Sequence, residues 1–405
     1  MTTRNILFTF FSFLTFSISA QGLLLSTEEQ LSGVEQYIEE DRGYTSYLPD
    51  YYSLEKFAPN VLSQGNSSSC VGWATCYSAF SILHNIHRNI TNEFEKKAFP
   101  FDPYFMYSIM KNLEKNDCSA GLNIPTAMDF FMEWGAKRWA MTPYLSCDSK
   151  WGSDWLDEIK FQSLPFTIDD YKIVDQDDIS LIKKLIYDGN PIIIAATIND
   201  SFDDVGRSSK GTVDKNGVWN PDYTDLDSRS GHAMTIVAYN DYKFGGAIKV
   251  MNSWGTDFGD NGYVWIKYED IPSIIREAYI LEKDFNSIDK LPFFKFGKYQ
   301  SGDVYEGNVN TSNERHGYGY YQWKDGDTYI GEWANSYRDG RGLFFDFGNR
   351  IVYIVEYDEG VRTEIKSLGF SDDNGKSDFE IYLENFDIGL RFKDAGPSTV
   401  IPDIE

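Results

Sequence analysis

Apolar residues at Trp73, Tyr77 and Phe80 recur at i, i+4 and i+7, a spacing that predicts one amphipathic helix over residues 70–88. Comparable patterns predict helices over 103–115 and 124–134. Beyond residue 190 the pattern changes. The runs PIIIAATI (191–198), HAMTIVAY (232–239), AIKVMN (247–252), GYVWIKY (262–268) and EAYILE (277–282) are short, rich in β-branched and aromatic residues, and predict strands. Helices first and antiparallel-looking strands later predict an α+β domain in two lobes over 48–284. Before it, residues 21–47 are polar and acidic with a short helical pattern and read as a leader or small pro-segment. The polar stretch 200–230 reads as a surface insertion.

A linker, KDFNSIDKLP (283–292), precedes a second texture. GDVYEG at 302–307 recurs as GDTYIG at 326–331, and HGYG at 316–319 is echoed by DGRG at 339–342. Each unit alternates apolar and polar residues and turns at Gly or Asp-Gly, which predicts β-hairpins in tandem. These units resemble MORN repeats, with a third, degraded unit at 348–360, and give a repeat domain over 290–362. Such a domain is expected either to engage a protein partner or to pack on the preceding domain. In the acidic tail, 363–405, DFEIYLENFDIGLRF still alternates and is expected to extend the sheet.

With 405 residues, 42% of them apolar and 16% aromatic, the chain can fill two cores. Its net charge of -25 excludes nucleic acid and anionic membrane as direct partners, because both require a basic footprint. At the start, Arg4 precedes an apolar run (6–16) and small residues ending at Ala20. This is the layout of a signal peptide over 1–20, so a secreted or periplasmic location is expected, with no membrane span. Four cysteines are too few for a disulfide scaffold.

Cys70 stands where the first predicted helix begins, and polar residues 66–69 cannot extend that helix backwards. Unpaired backbone N–H groups at a helix start favour a thiolate. Six residues upstream, Gln64 carries an amide able to donate to an oxyanion beside the Cys70 N–H. Of four histidines, His84 and His87 lie too far along the same helix, and His316 falls in a repeat turn. His232, preceded by Gly231 at a strand start, is therefore the candidate partner.

The segment QGNSSSC (64–70) before a Trp-containing helix, GHA (231–233), and NSWGTDFGDNGY (252–263) together resemble the papain-like cysteine peptidases. The resemblance implies a helical lobe facing an antiparallel β-barrel-like lobe. It also implies the oxyanion residue Gln64, nucleophile Cys70, acid/base His232, orienting Asn252 and shielding Trp254, with Gly231 and Ser253 in support. Cys118 and Cys147 resemble in position one disulfide of that family, while Cys76 reads as a buried small hydrophobe. The chain departs from the family pattern at Ser67, where a cysteine is usual, and in Val71-Gly72-Trp73, where a Trp normally follows the nucleophile. The long inhibitory pro-domain of many members is also missing. The implied activity is hydrolysis of peptide bonds through a thioester, without cofactor or metal, on a protein or peptide substrate. A silent binding protein that keeps this fold, and acyl transfer, are the competing readings.

Overall fold

The computed structural model describes residues 22–38, 47–91, 96, 100–114, 119–138, 153–205, 216–224, 230–346, 348 and 351–368. The tail segment 378–392, residues 1–20 and both Cys118 and Cys147 lie outside these, as do the structural expectations attached to them.

The first domain begins with a leader whose short helix α1 (Glu28–Ser32) is closed by a capping box between Thr27 and Gln30. Helix α2 runs unbroken through segments Cys70–Gly72, Trp73–Phe80 and Ser81–His87. Its middle segment is wound as a wider π turn, and just beyond it Ser81 Oγ donates to the Cys76 carbonyl, five residues back. Helices α3 (Pro103–Glu114) and α4 (Ile124–Trp134) complete the predicted helical lobe. Two further helices lie outside the predicted set: α5 (Ser153–Ser163), whose apolar stripe is weak, and α6 (Ile179–Tyr187), whose Ile179, Ile182, Leu185 and Ile186 do follow a helical spacing.

The strands are β1 (Tyr51–Ser53), β2 (Asp170–Ile173), β3 (Ile192–Ile198), β4 (Ser230–Asn240), β5 (Ala247–Met251), β6 (Tyr263–Lys267) and β7 (Ile275–Glu282). They form one sheet in the order β2-β7-β3-β4-β5-β6, with β1 added on β4 and every pair antiparallel. Because β3 and β4 are covered on both faces they read as nearly continuous apolar runs. One face packs with α6 and Trp73; the other packs with Cys70, Phe80 and the helical lobe. The stretch 200–230 is not simply a surface insertion. Phe202 and Trp219 are fully buried, and the Trp219 N–H donates to the Trp265 carbonyl.

The second sheet has the order β14-β13-β12-β11-β10-β9-β8, a meander of neighbouring strands. Its strands are β8 (Phe294–Lys298), β9 (Val304–Val309), β10 (Arg315–Gln322), β11 (Thr328–Ala334), β12 (Tyr337–Asp346), β13 (Ile351–Asp358) and β14 (Val361–Leu368). The repeated motif has a steric cause. Tyr305 and Tyr329 are buried, and a side chain at Gly319 or Gly342 would fall within 2.6 Å of their rings.

The two domains share a core and an ionic cluster. Phe294 packs on Phe166, and Phe285 in the linker packs on Phe80. Glu306 of β9 lies 2.8 Å from Arg138 and 3.0 Å from Arg88, with His84 at the same carboxylate. Arg138 Nη2 can only donate, and it lies 2.9 Å from His84 Nε2, so that nitrogen accepts and the imidazole is neutral. Burial first, then the Arg138 charge, pushes the His84 pKa down to about 4, against the pull of Glu306.

Candidate active site

Two separated segments meet at one edge of the sheet. The Gln64 N–H donates to the Ser253 carbonyl at 2.7 Å, the Gly255 N–H donates to the Leu62 carbonyl at 3.2 Å, and Ser63 forms a bridge with Trp254. This pairing holds Gln64 beside the strip that follows β5. The Gln64 side chain is fixed at both ends: Ser253 Oγ donates to Oε1 at 2.6 Å, and Nε2 donates to the Ser67 carbonyl at 2.7 Å. Ser253 therefore turns the amide nitrogen toward the loop just before Cys70.

His232 is fully buried on β4, and its Nε2 lies 2.7 Å from Asn252 Oδ1. That oxygen also accepts from the Ser253 N–H at 2.8 Å, which identifies it as the acceptor end of the amide. Nε2 must then be the donor, so in the neutral ring the lone pair sits on Nδ1. The Trp254 ring lies 5.0 Å from the imidazole, and Phe202 and Phe258 back it at 5.2 Å and 5.1 Å. Phe202, in the stretch read as a surface insertion, is a supporting residue that its polar sequence neighbourhood concealed.

Cys70 opens α2, as the apolar spacing predicts. Its thiol receives hydrogen bonds from the backbone at Ala233, the residue after His232, and at Val71 and Cys70 in the first turn of the helix. The same helix is tied to β4 one turn on, where Thr235 Oγ1 donates to the Ala74 carbonyl at 2.9 Å. The Cys70 thiol, the His232 imidazole and both amides are thus held by α2, β4 and the two paired strips. The expected thiolate is not the state described, however. Burial outweighs the three backbone contacts and pushes the Cys70 pKa up to about 12, so the thiol is protonated at neutral pH.

The leader lies over this site, with Leu23 in the same buried cluster as Cys70. Gly22 forms an antiparallel bridge with His232, and Leu23 a parallel bridge with Leu122 of the opposite lobe. The Leu24 N–H donates to the Leu122 carbonyl, and the Leu122 N–H to the Gly22 carbonyl, both at 2.9 Å. The approach is so close that a side chain on Gly22 would fall 2.1 Å from the Ser68 carbonyl oxygen, and one on Gly231 would fall 2.6 Å from that of Leu23. Further along, Ser26 donates through both N–H and Oγ to Glu277, and the Tyr37 N–H donates to the Ile173 carbonyl on β2. Neither Gly22 nor Glu277 carries a local sequence signal for this role.

Cys76 is a buried thiol, as expected, and neither it nor Cys70 is in a disulfide. Among the described residues no group of three or more His, Cys, Asp or Glu could hold a metal ion, and no helix is long and apolar enough to cross a membrane.

The model of the papain family cysteine proteases matches residues 54–280, and that of the MORN repeat matches 305–328 and 329–346. An uncharacterized peptidase C1-like protein of Acanthamoeba polyphaga mimivirus is 26% identical over 223 residues, covering 52% of this chain and 65% of the relative. Cathepsin B-like CP3 of Giardia intestinalis is 27% identical over 220 residues, covering 51% and 63%. The chain therefore spans less than two thirds of the length of either relative. Among solved structures, xylellain, a cysteine protease from Xylella fastidiosa, superposes with a TM-score of 0.51 at 20% identity, over 66% of this chain and 97% of that one. Procathepsin B S9 from Trypanosoma congolense gives 0.50 at 15% identity, over 66% and 87%. At such identities the structures share the fold. The family match extends over more than half of the sequence and encloses the whole Gln64, Cys70, His232 and Asn252 constellation: the chain belongs to the papain family of cysteine proteases and carries MORN repeats behind the protease domain.

Proposed function

We propose that this chain is an exported cysteine peptidase, made as a latent form whose leader covers the nucleophile. The observation that carries the reading is the paired fixation of the two reacting groups. Asn252 holds Nε2 of His232, leaving Nδ1 as the basic nitrogen, while the thiol of Cys70 rests on the backbone of the very next residue, Ala233.

In the opened form His232 takes the Cys70 proton, and the thiolate attacks the substrate carbonyl carbon. The oxyanion is held by the Cys70 N–H and the Gln64 amide, whose nitrogen Ser253 orients. Collapse breaks the C–N bond as the imidazolium gives its proton to the leaving amine. Water, deprotonated by His232, then attacks the thioester and returns the thiol. The leader, residues 22–38, is the latency device. Residues 1–20 direct export, and their removal would start the chain at Gln21, one residue before the bridge to His232.

A papain-fold protein that binds without catalysis, with its repeats engaging a protein partner, is the second reading. The fully buried, protonated Cys70 favours it. Purified full-length protein and a form lacking residues 1–38 separate the two in reducing buffer. The shortened form is expected to hydrolyse a peptide library and to be modified at Cys70 by a thiol-directed epoxide, and Cys70→Ala to do neither. An intact, folded shortened form that neither cleaves nor is modified refutes the peptidase reading.

A further inference from the structure

The chain departs from the family pattern at two places around the nucleophile, Ser67 and Val71-Gly72-Trp73, and the structure joins them in one arrangement. At Gly72, helix α2 comes so close to the start of α3 that a side chain there would fall 2.2 Å from the Pro103 carbonyl oxygen. Any Cβ at this position would hold the two helices apart. The close crossing carries Tyr104, the second residue of α3, alongside the first turn of α2. There its ring meets that of Trp73 edge to face, with 6.0 Å between centroids.

The Tyr104 hydroxyl lands on the loop that carries Gln64. This loop is a tight turn in which Gly65 has a φ of +57° and the Ser67 N–H reaches the Gln64 carbonyl at 3.3 Å. The same carbonyl accepts from Ser67 Oγ at 2.7 Å and from the Tyr104 hydroxyl at 3.1 Å. With its proton committed there, Ser67 Oγ is left as an acceptor, 2.6 Å from Ser69 Oγ and 3.1 Å from the Tyr104 hydroxyl. Ser69 therefore donates to Ser67, and Tyr104 shares its proton between Ser67 and the Gln64 carbonyl. Burial raises the Tyr104 pKa above its ordinary value, so this donor keeps its proton across the working range of pH.

The consequence for catalysis runs through the Gln64 side chain. Its amide nitrogen carries two hydrogens, and it donates to the Ser67 carbonyl at 2.7 Å. Where Ser67 sits therefore decides where the other hydrogen points, and oxyanion donors act only within a narrow range of distance. We propose that Tyr104 is a positioning residue for the oxyanion site: its hydroxyl, together with Ser67 and Ser69, ties the Gln64 loop to the helical lobe by hydrogen bonds, in a chain that has serine where the family pattern has cysteine. The tie keeps the Gln64 amide and the Cys70 N–H converging on one point.

This inference rests on the peptidase reading, and the experiment separates the two. The form lacking residues 1–38 is prepared as parent, Tyr104→Phe, Ser67→Ala and Ser67→Thr, and each is repeated in a Gln64→Ala background. Active Cys70 is titrated so that every rate is expressed per active thiol. Turnover of a peptide gives kcat and KM. A peptide aldehyde, whose adduct with the thiol places an oxygen in the oxyanion site, reports on that site directly, whereas alkylation of Cys70 by iodoacetamide forms no oxyanion. Tyr104→Phe and Ser67→Ala are each expected to lower kcat about 3- to 10-fold at unchanged KM, the size of one neutral hydrogen bond. Each is expected to weaken the aldehyde by the same factor and to leave the alkylation rate unchanged. Ser67→Thr, which keeps the hydroxyl, is expected to recover most of the loss seen in Ser67→Ala. In the Gln64→Ala background the effect of Tyr104→Phe is expected to shrink toward unity, because it acts through Gln64. An unchanged kcat in Tyr104→Phe overturns the assignment. So does a loss that persists in full without Gln64, or alkylation slowed in parallel, either of which makes the hydroxyl merely structural. Cleavage by the parent upholds the peptidase reading whatever these variants do, and absence of cleavage by the parent overturns both.

Discussion

Replacing Glu306 with alanine should loosen the whole molecule although the residue is remote from the nucleophile. The carboxylate holds two guanidinium groups, Arg88 and Arg138, and all three side chains are 7% exposed or less. Removing the one anion leaves two buried cations, for which breaking a buried ion pair costs about 3–5 kcal/mol. At roughly 1–2 °C per kcal/mol for a cooperative unit of this size, the melting temperature should drop by about 3–10 °C. Because Phe285 and Phe294 carry the same core across the linker, cleavage within 283–293 under limited proteolysis should accelerate in parallel. Thermal melting followed by far-ultraviolet circular dichroism, with proteolysis monitored by mass spectrometry, reads both effects. A Glu306→Ala variant that melts within 2 °C of the parent and resists cleavage would refute the argument that the repeat sheet is anchored there.

The same cluster makes stability depend on pH. The folded pKa of His84 is about 4 against an ordinary 6.5, so the unfolded chain binds the extra proton. The contribution is complete above pH 6.5 and is lost as pH falls toward 4, about 3 kcal/mol in all. Glu306 acts in the same sense at lower pH. Burial alone would raise its pKa, but His84, Arg138 and Arg88 outweigh burial and hold it well below the usual carboxylate range. Melting temperatures across pH 4–7 should therefore rise with pH and flatten above 6.5, and a flat profile over that range contradicts the assignment. Removing the leader should bring the Cys70 thiol from about 12 down past its ordinary value near 8.5, raising the alkylation rate at pH 7.5 by at least about 10³-fold. An unchanged rate would show that the leader does not gate the thiol. Gln64→Ala should lower kcat by about 10²–10³ with little change in KM. Ser253→Ala should act in the same direction more weakly, and a pure KM effect in either would remove them from the oxyanion site.

Much of the site was legible because its chemistry needs particular residue types at strand and helix ends. Cys70 marks the start of α2 by the polar run before it, and His232 is picked out by elimination among four histidines. What periodicity missed has a physical reason in each case. Helix α5 has a weak apolar stripe, and its place in the fold depends on packing with residues far away in sequence. Phe202 and Trp219, with Val205, are buried core residues set in a polar stretch. Glu306 occupies the position that Ile330 holds in the next repeat, so a charge stands where the sister unit is apolar, yet its two arginine partners lie over 160 residues away. The leader's grip on the cleft is made largely by backbone groups, which leave no pattern of side chains to read.

The most direct test is the pH dependence of Cys70 alkylation in protein lacking residues 1–38, followed peptide by peptide so that buried Cys76 serves as an internal reference. With His232 present, reactivity at Cys70 should persist well below pH 8.5, because the imidazole accepts the proton and stabilises the thiolate. In His232→Ala the midpoint should rise to that of an ordinary thiol, and in Asn252→Ala it should fall between the two. Superimposable profiles for the parent and His232→Ala would mean that the imidazole does not activate the thiol.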